Sequence, residues 1–366
     1  MSILNLSLAM SQNFNQLKTY LDDKITGKKS PGVQFLIADS TGILFDYNSG
    51  FADIEKQIPV DANTEFKMYS ATKLMTMIGI MQLVEQGKIN LDDPAAKYTK
   101  IKYADDITVR KILNHTAGFS RNPFIKEIHL VEEDTNFNYA EFMDYALPHY
   151  NKIIYKTGKK NSYSNYGYLV LSEIVANVSG MEYEAYIDQY ITAELGLIEE
   201  DNIGFKYTDQ TAKGYQKRRT LTHWAYSVMV DKDKYYAHKS KDWQGYKDLY
   251  MRGLGFGGGI ANARAVAALM QNLMNHGILE ASTLEETFKR QIYNSNKTSK
   301  QTLGWWHAEV DSRQSFYHPG GGGGYSCEVR IYPKKGQVRV MMMNKTQTIG
   351  DLKMFAKIDK LWLNEE

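Results

Sequence analysis

Strand patterns sit at both ends of this 366-residue chain, and helical patterns fill the space between them. Near the N-terminus, residues 33–38 and 43–47 are short apolar runs divided by Asp39-Ser40-Thr41-Gly42, which predicts a β-hairpin. Near the C-terminus, residues 305–310, 315–318, 325–332 and 337–343 read as strands, with Pro333-Lys334-Lys335-Gly336 turning between the last two. A lone hairpin is marginal in water. The economical fold joins both sets into one antiparallel sheet built from the two chain termini. Phe14, Leu17, Leu21 and Ile25 recur at helical spacing, as do Leu352, Phe355, Ile358 and Trp362, so each end also supplies a covering helix. The expected fold class is α/β in the α+β sense: a terminal-built antiparallel sheet flanked by helices, with an all-helical lobe inserted. Residues 1–65 with 300–366 make the discontinuous sheet lobe, and residues 66–299 the mainly helical one. Two stretches, 121–160 and 205–252, are rich in Tyr, Lys and Asp and read as loops or lids around a cleft.

Charge narrows the function. Lys+Arg 44 against Asp+Glu 42 leaves +2, which excludes a nucleic-acid binder driven by bulk charge. A single cysteine, Cys327, excludes an internal disulfide framework and reads as a small core residue. The 8 histidines show no metal-ligand spacing, so no metal is expected. The opening segment MSILNLSLAM has no Lys or Arg before its apolar patch and is too short to span a bilayer. The expectation is therefore a cytoplasmic protein, or a periplasmic one if a leader was removed. The sequence leaves its oligomeric state open. The 26 tyrosines suit a cleft for small molecules, although most of them belong at the core boundary.

Ser70 opens the apolar run 74–87, which predicts a buried helix of about four turns closed by Gly87. Lys73 lies one turn on along the same face. A serine there gains from the positive helix end, and a lysine in a low-dielectric site can shuttle its proton. With 20 Ser and 34 Lys, chance predicts roughly two Ser-x-x-Lys pairs and one is found, so the motif needs company. A second part is Tyr163-Ser164-Asn165, on a loop before a helix that ends at Gly180. A free tyrosine, with a pKa of about 10, is a poor base. Beside a lysine ammonium its anion is favoured and can take a proton from Ser70. Asn165 can hold the lysine or a substrate amide. The third part is His318-Pro319 followed by the glycine run 320–324. Glycines at a strand end let a ligand approach the backbone, whose N–H groups can join that of Ser70 in an oxyanion hole. A flexible hairpin tip is the plainer reading of five glycines.

In this order, the three parts resemble the serine hydrolases of the β-lactamase fold. The branch is the one related to class C β-lactamases, with family VIII esterases, D-aminopeptidases and D,D-carboxypeptidases. Ser70-Ala71-Thr72-Lys73 fits Ser-x-x-Lys, Tyr163-Ser164-Asn165 fits Tyr-x-Asn, and His318-Pro319-Gly320 fits the His-x-Gly variant of Lys-Thr-Gly. Stretches 87–94, 107–110, 113–119, 257–260 and 303–305 match as well. The resemblance implies one catalytic unit without a cofactor: Ser70 as acylated nucleophile, Lys73 and Tyr163 as its activating pair, and the N–H groups of Ser70 and Gly321 as oxyanion hole. Asn165, His318 and Gly320 are implied as substrate-binding residues. Which of Lys73 and Tyr163 is the base in each step stays open. Two departures matter. His318 replaces the lysine that faces a β-lactam carboxylate, and a neutral imidazole holds that group less strongly. Pro319 has no N–H to donate, which implies an altered or edge-like strand.

The implied function is hydrolysis through an acyl-enzyme of small esters or D-amino-acid amides and peptides. Its partner is then a small ester, amide or β-lactam-like molecule. A peptidoglycan D,D-carboxypeptidase or weak class C-type β-lactamase is one alternative, and a non-catalytic binding or scaffold protein of this fold is another. Gly253-Leu254-Gly255-Phe256-Gly257-Gly258 satisfies G-x-G-x-x-G, but residues 247–252 lack strand alternation before it, so no dinucleotide site is expected. The elbow G-x-S-x-G is absent. His115 is expected to be structural, and Met341-Met342-Met343 to be buried strand.

Overall fold

The computed structural model describes residues 3–100, 102–121 and 127–363, with backbone alone for 3–11, 226 and 229. Its N-terminal strands are β1 (Gly32–Asp39), β2 (Gly42–Asp53) and the short β3 (Ile58–Pro59). The Asp39 carboxylate accepts the N–H and O–H of Thr41 and so closes the β1–β2 turn. The C-terminal strands are β4 (Trp306–Val310), β5 (Arg313–Gly322), β6 (Tyr325–Tyr332) and β7 (Gln337–Met343). They assemble in the order β4-β5-β6-β7-β1-β2-β3. β7 pairs antiparallel with β1, Met343 opposite Val33 and Val338 opposite Ala38, so the two chain ends close one seven-stranded sheet.

Five helices position the rest: α1 (Ile3–Lys24), α2 (Lys73–Glu85), α3 (Asn165–Ser179), α4 (Ala263–Met274) and α5 (Ile349–Asp359). β1 is buried on both faces, and its alternation sorts the side chains. Val33, Phe35 and Ile37 face Leu17 and Leu21 of α1 and Phe355 and Ile358 of α5. Leu36 and Ala38 face the main core, where α4 packs on β7 and β1. The apolar face of α5 is rotated from its prediction. Met354 is buried, Leu352 is 41% exposed, and the helix ends before Trp362, which meets the Tyr332 ring edge-on.

Arg330 and Arg339 stand opposite each other on β6 and β7. Like charges facing across strands repel. Glu328 and Asp359 resolve this: Arg339 Nε lies 2.8 Å from Asp359 Oδ1, and Arg330 Nη2 lies 3.0 Å from Glu328 Oε1. Asp359 belongs to α5, so the ion cluster also ties that helix to the sheet.

The middle of the chain holds more than helices. Tyr215–Lys217, Tyr236–Lys239 and Trp243–Tyr246 form a three-stranded sheet, and Leu221–Met229 a helix, within a stretch read as loop. In the other such stretch Ile128–Leu130 pairs with Leu249–Met251, and Tyr139–His149 is helical. Residues 122–126 lie outside the described residues. Residues 247–252 therefore do contain a strand. At three residues it is too short for alternation to register. Among the described residues no helix is long and apolar enough to cross a membrane.

Candidate active site

Ser70 does not sit in the first turn of an α-helix, as its spacing predicts. A 3₁₀ turn, Tyr69–Thr72, carries it, and α2 begins at Lys73. The turn is fastened from several sides. Met68 N–H donates to Gly259 O at 2.8 Å, and Gly259 N–H donates to Thr72 Oγ1 at 2.9 Å. Tyr69 is held at φ +44°, a left-handed conformation that costs energy in any residue with a Cβ. Its hydroxyl donates to Gly323 O at 2.7 Å. A Cβ on Gly320 would come within 1.9 Å of Met68 O, and one on Gly322 within 2.5 Å of the Tyr69 ring. Gly320 and Gly322 are thus strand residues of β5 that let the Ser70 turn press on the sheet, not part of a loose tip.

Lys73 is completely buried. Its Nζ lies 3.2 Å from Ser70 Oγ, 2.9 Å from Asn165 Oδ1 and 2.8 Å from Phe256 O. None of these partners is a carboxylate. Burial drives the lysine well below its usual pKa of 10.5. All three oxygens are neutral, so no partner charge offsets the burial. Tyr163 is half-buried with its hydroxyl end enclosed against Ser70. Burial pushes its pKa up, and the Ser70 contact offsets that only in part. Burial penalises both charged forms, so it works against the ammonium and the phenolate that the sequence suggests. Asn165 opens α3, whose cap is Ser164, with Oγ accepting Gly167 N–H at 3.3 Å. His115 supports the same loop: its Nδ1 accepts Ser164 N–H at 3.2 Å, and its ring lies 4.4 Å from that of Tyr163. His318 is buried, and chiefly burial pulls it down to about 3, so its imidazole is neutral.

The sequence profile of the Beta-lactamase family matches residues 17–358, nearly the whole chain. This chain belongs to the beta-lactamase family. It is a serine hydrolase by class, with the antiparallel sheet and inserted helices of that fold. Penicillin-binding protein 4* of Bacillus subtilis (strain 168) is 22% identical over 92% of this chain and 73% of its own length. Protein flp of Staphylococcus aureus (strain NCTC 8325 / PS 47) is 24% identical, over 54% of this chain and 39% of that protein. The octameric penicillin-binding protein homologue from Pyrococcus abyssi superposes with a TM-score of 0.75 at 20% identity, covering 96% of this chain and 78% of its own. The D-amino acid amidase from Ochrobactrum anthropi SV3, complexed with L-phenylalanine amide, gives 0.74 at 19% identity, covering 96% and 98%.

In this member of the beta-lactamase family, Ser70, Tyr163 and Asn165 open on a cleft of about 570 Å³. Its far wall is the α5 side of the sheet, with Trp306, Tyr317, Pro319 and Gly321. β5 pairs with β4 only as far as Tyr317, opposite Trp306, so residues 318–322 pair with β6 alone and form an edge inside the cleft. A proline is tolerated on such an edge, which accounts for Pro319. Gln347 donates from Nε2 to Gly320 O at 3.0 Å and packs over Gly321. Arg330 also lines the cleft, 4.4 Å from the centre of the Tyr317 ring, but Glu328 and Asp359 hold its charge. Glu309 is exposed at the rim and has no ion-pair partner among the described residues. The sequence reading missed Phe256, Gln347, Arg330 and Glu309. Phe256 contributes a backbone carbonyl, which no residue type advertises. The neighbouring 257–260 match was the available signal.

Proposed function

We propose that this protein hydrolyses small D-amino-acid amides and esters through an acyl-enzyme on Ser70, with Lys73 as the base. One observation carries the reading: a completely buried lysine, among neutral acceptors only, points its Nζ at Ser70 Oγ from 3.2 Å. As Oγ attacks the acyl carbon, the Lys73 lone pair takes the hydroxyl proton. The carbonyl electron pair moves onto oxygen, which the N–H groups of Ser70 and Gly321 receive. The ammonium formed keeps Phe256 O and Asn165 Oδ1 as acceptors. Tyr163 gives its phenolic proton to the leaving amine or alkoxide and regains one from Lys73. Water then attacks the acyl carbon, its proton passes to the same pair, and Ser70 leaves reprotonated.

The cleft walls favour amino-acid amides and simple esters over substrates that end in a carboxylate. His318 is neutral, and Arg330, the only cation among the described residues lining the cleft, is neutralised by two carboxylates. The unpaired Glu309 suits the ammonium of an amino-acid amide. The fold shared with a D-amino acid amidase supports the D configuration. Intact-mass measurement within seconds of mixing tests the proposal. D-phenylalanine amide and a short nitrophenyl ester are expected to acylate Ser70 and turn over, penicillin to leave no lasting adduct, and Ser70→Ala to give none. A protein that forms no adduct with any of these donors, nor with a fluorophosphonate, is not this enzyme.

A further inference from the structure

A second pocket, of about 230 Å³, opens beside the start of α5, lined by Lys28, Lys29, Lys217 and Lys345. One carboxylate, Asp351, lies among the four lysines and pairs with Lys345. Lys217 Nζ donates to the backbone oxygen of Lys28 at 2.7 Å, and Lys29 Nζ lies 3.8 Å from Met354 Sδ. Neither is in an ion pair among the described residues. Burial lowers the pKa of Lys345, Asp351 pulls it back, and Lys29 and Lys217 lower it further as like charges. Four lysines against one carboxylate leave three cations uncompensated. Residues 214–230 alongside carry Lys217, Arg218 and Arg219 and no Asp or Glu.

The rim of this basic pocket is apolar. Leu221 lies between Thr220 and Thr222, which line the pocket, and is 80% exposed. Ile349 lies between Thr348 and Gly350, which also line it, and is 82% exposed. Leu221 begins the helix Leu221–Met229, where Trp224 and Val228 are 65% and 70% exposed. At about 100° per residue these three side chains fall within roughly 60° of arc, so the helix turns its apolar stripe outward. Exposed apolar surface grouped in this way marks an interaction site.

We propose that this face docks on an anionic phospholipid bilayer, the lysine pocket taking a lipid phosphate while Leu221, Trp224, Val228 and Ile349 enter the headgroup boundary. The two features together select that partner. A free phosphate offers nothing to four exposed apolar side chains, and a zwitterionic surface has no net charge for the lysines. Gln347, within the segment 345–351 that lines the pocket, and Leu352, directly after it, line the cleft, so docking brings the cleft beside the bilayer.

Flotation of the full chain with two kinds of vesicle tests the proposal: phosphatidylcholine alone, and phosphatidylcholine with an equal part of phosphatidylglycerol. The wild type is expected to float with the anionic vesicles only and to be released by salt. Each cation near such a surface is worth about fivefold, so Lys29→Glu with Lys217→Glu should reduce partitioning at least about twenty-five-fold. Leu221→Ser with Trp224→Ser should also reduce it, and both variants should hydrolyse a soluble ester at the wild-type rate. Equal binding to both vesicle types overturns the proposal, as does no binding to either. Overturning it too would be thermal stabilisation by inorganic phosphate, lost in the lysine variant, in a protein that ignores vesicles; the pocket would then serve a free anion.

Discussion

Arg339 and Lys73 are both completely buried, but their neighbours differ. Arg339 meets two carboxylates, Asp359 and Glu328. Burial works against its charge, the two carboxylates outweigh burial, and its pKa rises. Lys73 meets three neutral oxygens, burial is unopposed, and its pKa falls. Lys67 lies between the two cases. It is buried against the rings of Tyr69 and Tyr207, burial lowers it to about 7, and Asp248 holds it up in part. Partner charge decides whether a buried cation keeps its proton. The sheet uses that rule for cohesion, and in the proposed mechanism the site around Ser70 uses it for reactivity.

Lys73→Arg breaks the comparison most severely, because a guanidinium cannot give up its proton at neutral pH. It should lower kcat/KM by about a thousandfold or more in steady-state assays on a nitrophenyl ester, with the fold intact by circular dichroism. Asp359→Ala attacks the other site. It leaves Arg339 short of a partner and should cost about 3–5 kcal/mol in urea unfolding, while the folded fraction keeps its kcat. A third outcome concerns pH. Because the folded pKa of Lys73 lies below its unfolded value of 10.5, the unfolded chain binds the extra proton between the two. The contribution of Lys73 to stability therefore rises with pH across that interval and is lost below it. Lys73→Met should flatten this rise and increase Tm at neutral pH by a few degrees, even though it leaves only a small residual activity. An unchanged slope would mean that the lysine is charged in the folded protein. The smallest effect is expected from Glu309→Gln, a rise of several-fold in KM for D-phenylalanine amide with none for a nitrophenyl ester. An equal rise for both substrates would remove Glu309 from amine recognition.

Much of this arrangement was legible in the sequence. The sheet from both chain ends followed from short apolar runs with turn signals between them, which survive as β1, β6 and β7 because those strands are buried. That Ser70, Lys73, Tyr163 and Asn165 come together was legible, because the motifs that hold them are defined by residue type. Their protonation states were not. Proximity alone suggested that the lysine would favour a tyrosinate, and enclosure, set by long-range packing, works against that. Phe256 was hidden because a carbonyl oxygen belongs to every residue. Arg330 and Gln347 were hidden because strand pairing and the turn before α5 bring them to the cleft. The 3₁₀ turn at Ser70 was hidden because Tyr69 takes up a conformation that local preference disfavours.

The pH dependence of Ser70 acylation tests the central claim, a neutral Lys73 acting as the base. The rate of adduct formation with a nitrophenyl ester can be read by quenched intact-mass measurement across the pH range. A rate that levels off well below pH 10.5, with the acidic limb absent from the residual activity of Lys73→Met, is the predicted result. A rate still climbing tenfold per pH unit up to pH 10 would mean that the buried lysine holds its proton, and would contradict the account.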